Sequence, residues 1–438
     1  MSAANRDSQF KLFSDPVHGF ISVPKATLLA LVQTPEVQRL RRIRQLGVGY
    51  LVFPGAEHTR FNHALGAMAL MQRTLSTLAD KGTPIAPEER EAALVAALVH
   101  DIGHGPFSHT LEHTLIQDFH HEAMSRALLV RLNERFDGKL QRALAIFDNT
   151  YERPFFHQLV ASQLDMDRLD YLRRDSFHTG VVEGRVGVDR LLKTMRVVPA
   201  AGGPDARVVV EAKGMYAVEN FLISRRLMYW QVYLHKTVLA GDKLLHAAFR
   251  RARTHYRAGR LEMIAGASPA LSFFLSQKLH ADDIAQPDVC AQYVALDDTD
   301  VLFTLKQWME SPDLILRDLS QRFINRDFLR TTFLTEDPPP ETLADWQAAI
   351  AERLVSAGFS TPDTAADDAT YYLTLDHSRH AAYEQVDDSI QILRRDGSVV
   401  ELSEMADISS SIHSLTGYVE KPYVCAPKFL SLEPSVCP

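Results

Sequence analysis

From about Val23 to Arg260 the apolar residues recur at helical spacing, in segments cut by Gly and Pro, while strictly alternating runs are rare. A chain patterned this way buries stripes rather than sheet faces, so its main body packs helix on helix. One stretch departs from the pattern. In TMRVVPAAGGPDARVVVEA two β-branched runs flank a Gly/Pro turn, which predicts a hairpin around Gly202 and Gly203. Helices continue to about Leu354, with EDPPPETLADW breaking the chain at its prolines before Glu341 and Thr342 open another helix. Beyond it TYYLTLD and SIQILRRDGSVVELSE read as strands, the second a hairpin turning at Asp396-Gly397. The expected fold class is mainly α, with a large helical domain over residues 1–355 and a small C-terminal α+β subdomain over residues 356–438.

Composition narrows the partners. A hydrophobic content of 46% allows a sizeable core. Lys+Arg 47 against Asp+Glu 55 leaves a net charge of -8, the wrong sign for a protein that holds nucleic acid by neutralising phosphates. A small anionic substrate stays open, because a metal and a few local cations outweigh the global field. Cys290, Cys425 and Cys437 are too scattered for a disulfide framework or a CxxC zinc site, which favours a reducing compartment. The stretch MSAANRDSQFKLFSD lacks the apolar core of a signal peptide, and no run approaches the roughly 18 apolar residues of a membrane span. The expectation is a cytoplasmic protein with no membrane partner.

The titratable groups crowd where one helical pattern stops, in LVHDIGHGPFSHTLEH. The preceding PEEREAALVAALV has acidic residues at its start and apolar positions at Leu94, Val95 and Leu98, with Gly103 where a C-terminal cap belongs. His100 and Asp101 then occupy the last turn. Adjacent helical residues point about 100° apart, so they share one ion only if it lies beside the helix end and other ligands come from elsewhere. EHTRFNHALGAMALMQ offers His63 near the start of an amphipathic helix. HQLVASQLDMDRLDYLRRDSFH offers Asp167, followed at i+4 and i+8 by Tyr171 and Asp175, a polar stripe that costs burial energy unless it lines a cavity or binds something. Two imidazoles and two carboxylates form a mixed set suited to Fe, Mn, Co, Ni or Zn, with positions open for water and substrate. Taken singly, an HD dipeptide is usually an accident and His63 a capping or core histidine.

HTRFNHALG, HDIGHGPFSH and LDMDRLDYLRRD, in that order, resemble the HD-domain phosphohydrolases, and more closely the deoxynucleoside triphosphate triphosphohydrolases related to the vertebrate SAM-and-HD-domain enzyme. The resemblance starts at KLFSDPVHGFI, runs through TPEVQRLRRIRQLGVGYLVFPGAEHTRF, and ends near QVYLHK, over more than half the chain. It implies an HD-domain helical bundle in which His63, His100, Asp101 and Asp167 bind a divalent metal (Fe, Mn or Mg), with a second Mg arriving on the substrate phosphates. It implies that dNTPs are cleaved to deoxynucleoside and triphosphate by attack of an activated water on the α-phosphorus. His109 stands where the family places its general acid, with Glu112 and His121 orienting and charging it. The vertebrate pattern has a shorter Asp at Glu112.

The same resemblance places substrate at Gln45, Leu46, Arg60, Arg168, Tyr171, Asp175, Arg225 and Tyr233, with Leu46 crowding the 2′ position and Arg168 where the family often has Lys. Arg225, Tyr229, Tyr233 and Lys236 are spaced 4, 4 and 3 apart, along one helical face, as either a core stripe or a clamp for base and phosphates. His104 reads as a phosphate contact or a supporting group, His113 and His120 as surface or capping residues. Lys11, Gln38, Arg41 and Lys213 match an activating nucleotide pocket between subunits, although the bland reading of QRLRRIRQ is a solvated basic face. Gln33, Thr194 and Glu211 depart from the vertebrate residues of that pocket and weaken a guanine-specific activator. A homo-oligomer, dimer or tetramer, is implied by resemblance. The competing functions are an HD-type hydrolase of another nucleotide phosphoester and a nucleotide sensor with incidental catalysis.

Overall fold

The computed structural model describes residues 9–199, 206–380, 383, 389–405, 415, 417 and 419–430. It is mainly α-helical. Three helices carry the centre: Arg60–Asp80, Pro87–Val99 and Met166–Thr179. The first starts where Asn62 Oδ1 accepts the Thr59 N–H at 3.1 Å, and its Ala, Leu and Met positions form most of its buried face. The second opens on Pro87, with Glu89 reaching back to the Ala86 N–H at 2.9 Å. Ala92 to Val99 are all buried, so this helix runs through the core rather than over it. The third is capped by Asp165, which accepts the Arg168 N–H at 2.6 Å, and stops at Gly180 with φ 77.

Gly103 does not cap a helix. His100 is the C-cap residue, and Gly103 is not among the residues with positive φ. Its absent side chain serves packing: a Cβ there would lie 2.2 Å from both the His121 carbonyl oxygen and the Ser125 nitrogen. Both obstacles are backbone of the His121–Arg135 helix and cannot swing aside. Gly103→Ala is therefore expected to destabilise the fold by about 3 kcal/mol, read from the urea midpoint, since overpacking against fixed atoms sits at the upper end of its usual cost.

The predicted hairpin is present as Met195–Pro199 paired antiparallel with Ala206–Glu211, while Gly202 and Gly203 lie outside the described residues. Gln391–Leu393 and Val399–Glu401 also pair antiparallel, turning through Gly397 at φ 88. The strand expected in TYYLTLD starts only at Thr374, because Tyr371 and Tyr372 belong to the turn after the Ala365–Ala369 helix. Pairing crosses residue 355 in two places: Gln391–Leu393 adds parallel to Ala206–Glu211, and Val419–Ala426 lies between Arg330–Phe333 and Thr374–His380. A further hairpin, Phe10–Asp15 with Gly19–Pro24, was not foreseen. No described helix is long and apolar enough to cross a membrane.

Candidate metal and catalytic site

His63 comes from the first turn of the Arg60–Asp80 helix, His100 and Asp101 from the end of Pro87–Val99, and Asp167 from the first turn of Met166–Thr179. One donor atom from each lies within 4.8 Å of all the others. His63 Nε2 is 3.2 Å from His100 Nε2, 3.0 Å from Asp167 Oδ1 and 3.8 Å from Asp101 Oδ2. The other ring nitrogens are tied behind: His63 Nδ1 donates to Asp170 Oδ2 at 2.8 Å, and His100 Nδ1 to the Ala97 carbonyl at 2.8 Å. Each anchor can only accept, so both Nε2 atoms face one place, where a proton or a metal ion can be held. Two imidazole nitrogens that close repel unless something positive lies between them. Burial pulls His63 down, yet its hydrogen bonds to Asp167 and Asp170 outweigh it and hold the ring at about 10. His100 behaves likewise, lifted to about 9 by Asp101 and Asp167 against burial. The cluster is built to hold positive charge, and its donor set fits a divalent cation.

The cluster opens into a cavity of about 370 Å³. Gln45, Leu46, Arg60, His104, Tyr171, Asp175, Tyr229 and Tyr233 line it together with Asp101, Asp167 and His121. Arg60 is buried, with Nη1 on Asp101 Oδ2 at 2.8 Å and Nε on Ser108 Oγ at 3.0 Å. Asp175 is held from two sides, by His58 Nε2 at 2.6 Å and by the Tyr233 hydroxyl at 2.8 Å. Gln45 Oε1 is buried and accepts no hydrogen bond among the described residues. An amide oxygen left so beside a cavity is an acceptor waiting for a ligand.

Glu112 Oε1 accepts the His121 N–H at 2.7 Å and faces its Nδ1 at 3.2 Å. The His121 ring stacks on His104, 3.7 Å between centroids. Burial, reinforced by Arg60, holds His104 well below the usual imidazole range. His109 lies on the Ser108–Leu115 helix between two residues that line the cavity, Ser108 and Thr110. The side chains of His109 and His113 lie outside the described residues. His120 is the exposed N-cap residue of the next helix.

Three expected substrate contacts are not among the cavity's lining residues. Arg168 turns to Asp165 Oδ2 at 3.1 Å, and Arg225 is buried behind, on Gln163 Oε1 at 3.1 Å. Lys236 is exposed, its ammonium 5.8 Å from the Phe333 ring centroid. The single helical face fails because Tyr229–Tyr233 is a π-turn and a new helix begins only at Lys236. Of the candidate effector residues, Gln38 Oε1 accepts from Arg41 Nε at 3.0 Å, and the Arg41 guanidinium lies over Phe61. Lys213 is paired with Glu211, and Lys11 is exposed on the first strand. The basic run is not a solvated face throughout: Arg39 is fully buried, donating to the Ile102 carbonyl at 3.0 Å directly behind the HD turn.

His58 and Asp170 escaped the sequence reading. Asp170 takes hydrogen bonds from His18, His63 and Arg174, and Arg174 also reaches Asp15. The register was there to find: Asp170 lies three residues after Asp167 and four before Arg174, on one helical face.

A family model described as an HD domain matches residues 60–174, and one described as an HD associated region matches residues 186–265. An uncharacterised protein of Bacillus subtilis, YwfO, is 33% identical over 95% of this chain and 94% of its own length. The crystal structure of a phosphohydrolase from Bacteroides thetaiotaomicron is 41% identical, with a TM-score of 0.87 over 96% of this chain and 100% of that one. The deoxynucleoside triphosphate triphosphohydrolase SAMHD1 of Xenopus laevis is 28% identical over 59% of this chain and 48% of its own, so the match spans about half that relative.

Proposed function

Because this chain belongs to the HD-domain phosphohydrolase family, we propose that it is a dNTP triphosphohydrolase, releasing deoxynucleoside and intact triphosphate. The observation that carries the reading is one cavity with a cluster able to hold a cation at one side and, lining the same space, the unpaired Gln45 acceptor, Leu46 and the rings of Tyr171 and Tyr229 packed on Tyr233, whose hydroxyl donates to Asp175. A nucleotide has the same division, with phosphates to be neutralised and a sugar and base to be stacked and hydrogen-bonded. The similarity to SAMHD1 supports the triphosphate product.

A divalent cation held by His63, His100, Asp101 and Asp167 would supply Lewis-acid activation of the phosphate and of the attacking water. Two imidazole donors make Fe or Mn a better match than Mg, which prefers an all-oxygen shell. Arg60, fixed by Asp101 and Ser108, turns its guanidinium to the α-phosphate and fixes the line of attack. As the water oxygen bonds to phosphorus, the bond from phosphorus to O5′ breaks, and His109 gives its proton to that oxygen. Glu112, accepting the His121 backbone N–H and facing its Nδ1, keeps this part of the site oriented. Asp175, with His58 and Tyr233 on its two oxygens, receives the sugar hydroxyl.

The test is to incubate metal-loaded protein with each of the four dNTPs and identify products by phosphorus NMR. Triphosphate is expected; pyrophosphate or orthophosphate would redirect the assignment to another phosphoester, and tight dNTP binding without turnover would favour a sensor. Leu46 gives a separate check on the sugar. In the Leu46→Gly variant the preference for dGTP over GTP should shrink by on the order of tenfold, the worth of a few methylenes in a close-fitting pocket, measured as the ratio of kcat/KM values. Equal dGTP and GTP rates in the unmodified protein would remove that role.

A further inference from the structure

We infer that Asp298 is a positioning residue that sets the spacing between two walls of the catalytic cavity, the segment following Arg44 and the start of the Ser108–Leu115 helix. The inference rests on the hydrolase reading above for what the walls contain, and on geometry for the tie itself. Asp298 is 2% exposed and opens the Asp298–Trp308 helix. A carboxylate there ordinarily serves its own helix start. Here that work is done by neighbours: Asp297 accepts the Thr299 N–H at 2.9 Å, and Asp300 accepts the Asp297 N–H at 2.8 Å.

Asp298 instead spends its two oxygens on two distant backbone groups. Oδ2 accepts the Arg44 N–H at 2.9 Å, and Oδ1 accepts the Phe107 N–H at 3.1 Å. Arg44 directly precedes Gln45 and Leu46, which line one wall; Phe107 directly precedes Ser108 and the helix that carries His109 and Glu112. Phe107 has φ 48, a left-handed conformation that a bulky residue avoids unless its surroundings impose it. No side chain of the Ser108–Leu115 helix's own N-cap residue supplies a capping bond, so the remote carboxylate takes that place. Burial pushes the Asp298 carboxyl up to about 6 against the pull of both N–H groups and the Arg44 guanidinium 3.5 Å away, so the fold holds this ion at a cost. Asp298 does not line the cavity and acts only through the segments it joins.

The experiment compares wild type with Asp298→Ala and Asp298→Glu as full-length, metal-loaded proteins, by hydrogen–deuterium exchange and by steady-state triphosphate release. In the Ala variant, exchange should rise on the order of tenfold in both segments 44–49 and 107–111, and remain unchanged in the interior segment 64–75. Metal content should hold, and kcat should fall by about tenfold or more with a smaller change in KM, because displaced walls misalign the reacting groups without removing the phosphate contacts. Glu, which keeps both acceptors, should recover part of the protection and of kcat. A rise in only one segment, or a rise that includes 64–75, would overturn the tie. Loosening of both segments with kcat and KM unchanged would overturn its positioning role. If the wild type splits no dNTP, the substrate assignment fails while the exchange data still decide whether one carboxylate joins the two walls.

Discussion

Asp101→Ala is expected to leave the purified protein with well under one divalent ion per chain and, on the proposed hydrolase reading, to lower turnover of dNTPs on the order of 10³-fold or more, a barrier increase of about 4 kcal/mol. The size of the effect follows from how many partners share this carboxylate. One oxygen carries the Arg60 guanidinium at 2.8 Å, and the other lies 3.5 Å from both His100 Nε2 and His104 Nε2. Removing it deletes one of the four candidate donors, takes away the Arg60 guanidinium's carboxylate partner, and leaves His63 and His100 facing each other with less compensating charge. Elemental analysis and phosphorus NMR read the two losses separately. A full complement of tightly held metal with undiminished triphosphate release would place the ion elsewhere and end the site assignment.

Asp170→Ala should have the second large effect, this time on the fold as well as the site. The Asp170 carboxylate is fully buried and accepts from His18 at 2.6 Å, from His63 at 2.8 Å, and from Arg174 at 2.8 and 3.0 Å. Truncation strands the Arg174 guanidinium on Asp15 alone, and breaking a buried ion pair from one side costs about 3–5 kcal/mol. It also releases the His63 Nδ1 whose anchoring turns Nε2 into the candidate metal cluster, a supporting contact whose loss is expected to weaken metal affinity by about 10–100-fold. Denaturant titration of the metal-free protein measures the first quantity, and competition with a chelator measures the second. Asp170→Asn keeps the volume and one acceptor, so it should lose less stability than Ala while still weakening metal binding. Two variants as stable and as metal-avid as wild type would show that Asp170 anchors nothing.

Much of this was legible in the residues themselves. The helical period of the main body, the hairpin at Asp396-Gly397, and the helix end at His100 and Asp101 are local matters of periodicity, turn chemistry and capping. Convergence of His63 and Asp167 on that end came from resemblance, since three separate helices bring the donors together. What went unread depends on long-range contacts. Gly103 looked like a cap because capping is local, whereas the backbone it admits, at His121 and Ser125, lies a helix away. Lys236 looked aligned with Tyr233 because a 3.6-residue period was assumed through a stretch that makes a π-turn and then breaks. Arg39 sat in a run of charges, and nothing within that run says that one guanidinium turns inward to the carbonyl of Ile102. The N-terminal hairpin was missed because its outward positions, Phe10, Leu12 and Phe20, are apolar and exposed, which hides the alternation that marks a strand.

Val419–Ala426 is the middle strand of its sheet, between partners that precede it by roughly ninety and forty-five residues. A ribosome therefore emits both outer strands long before the one that joins them. During that interval Arg330–Phe333 and Thr374–His380 have bare edges, able to pair with any extended neighbour, including the same segment of another nascent copy. Stalled or prematurely terminated translation products should thus be far stickier than the finished chain, even though the helices bearing His63, His100 and Asp167 are already complete.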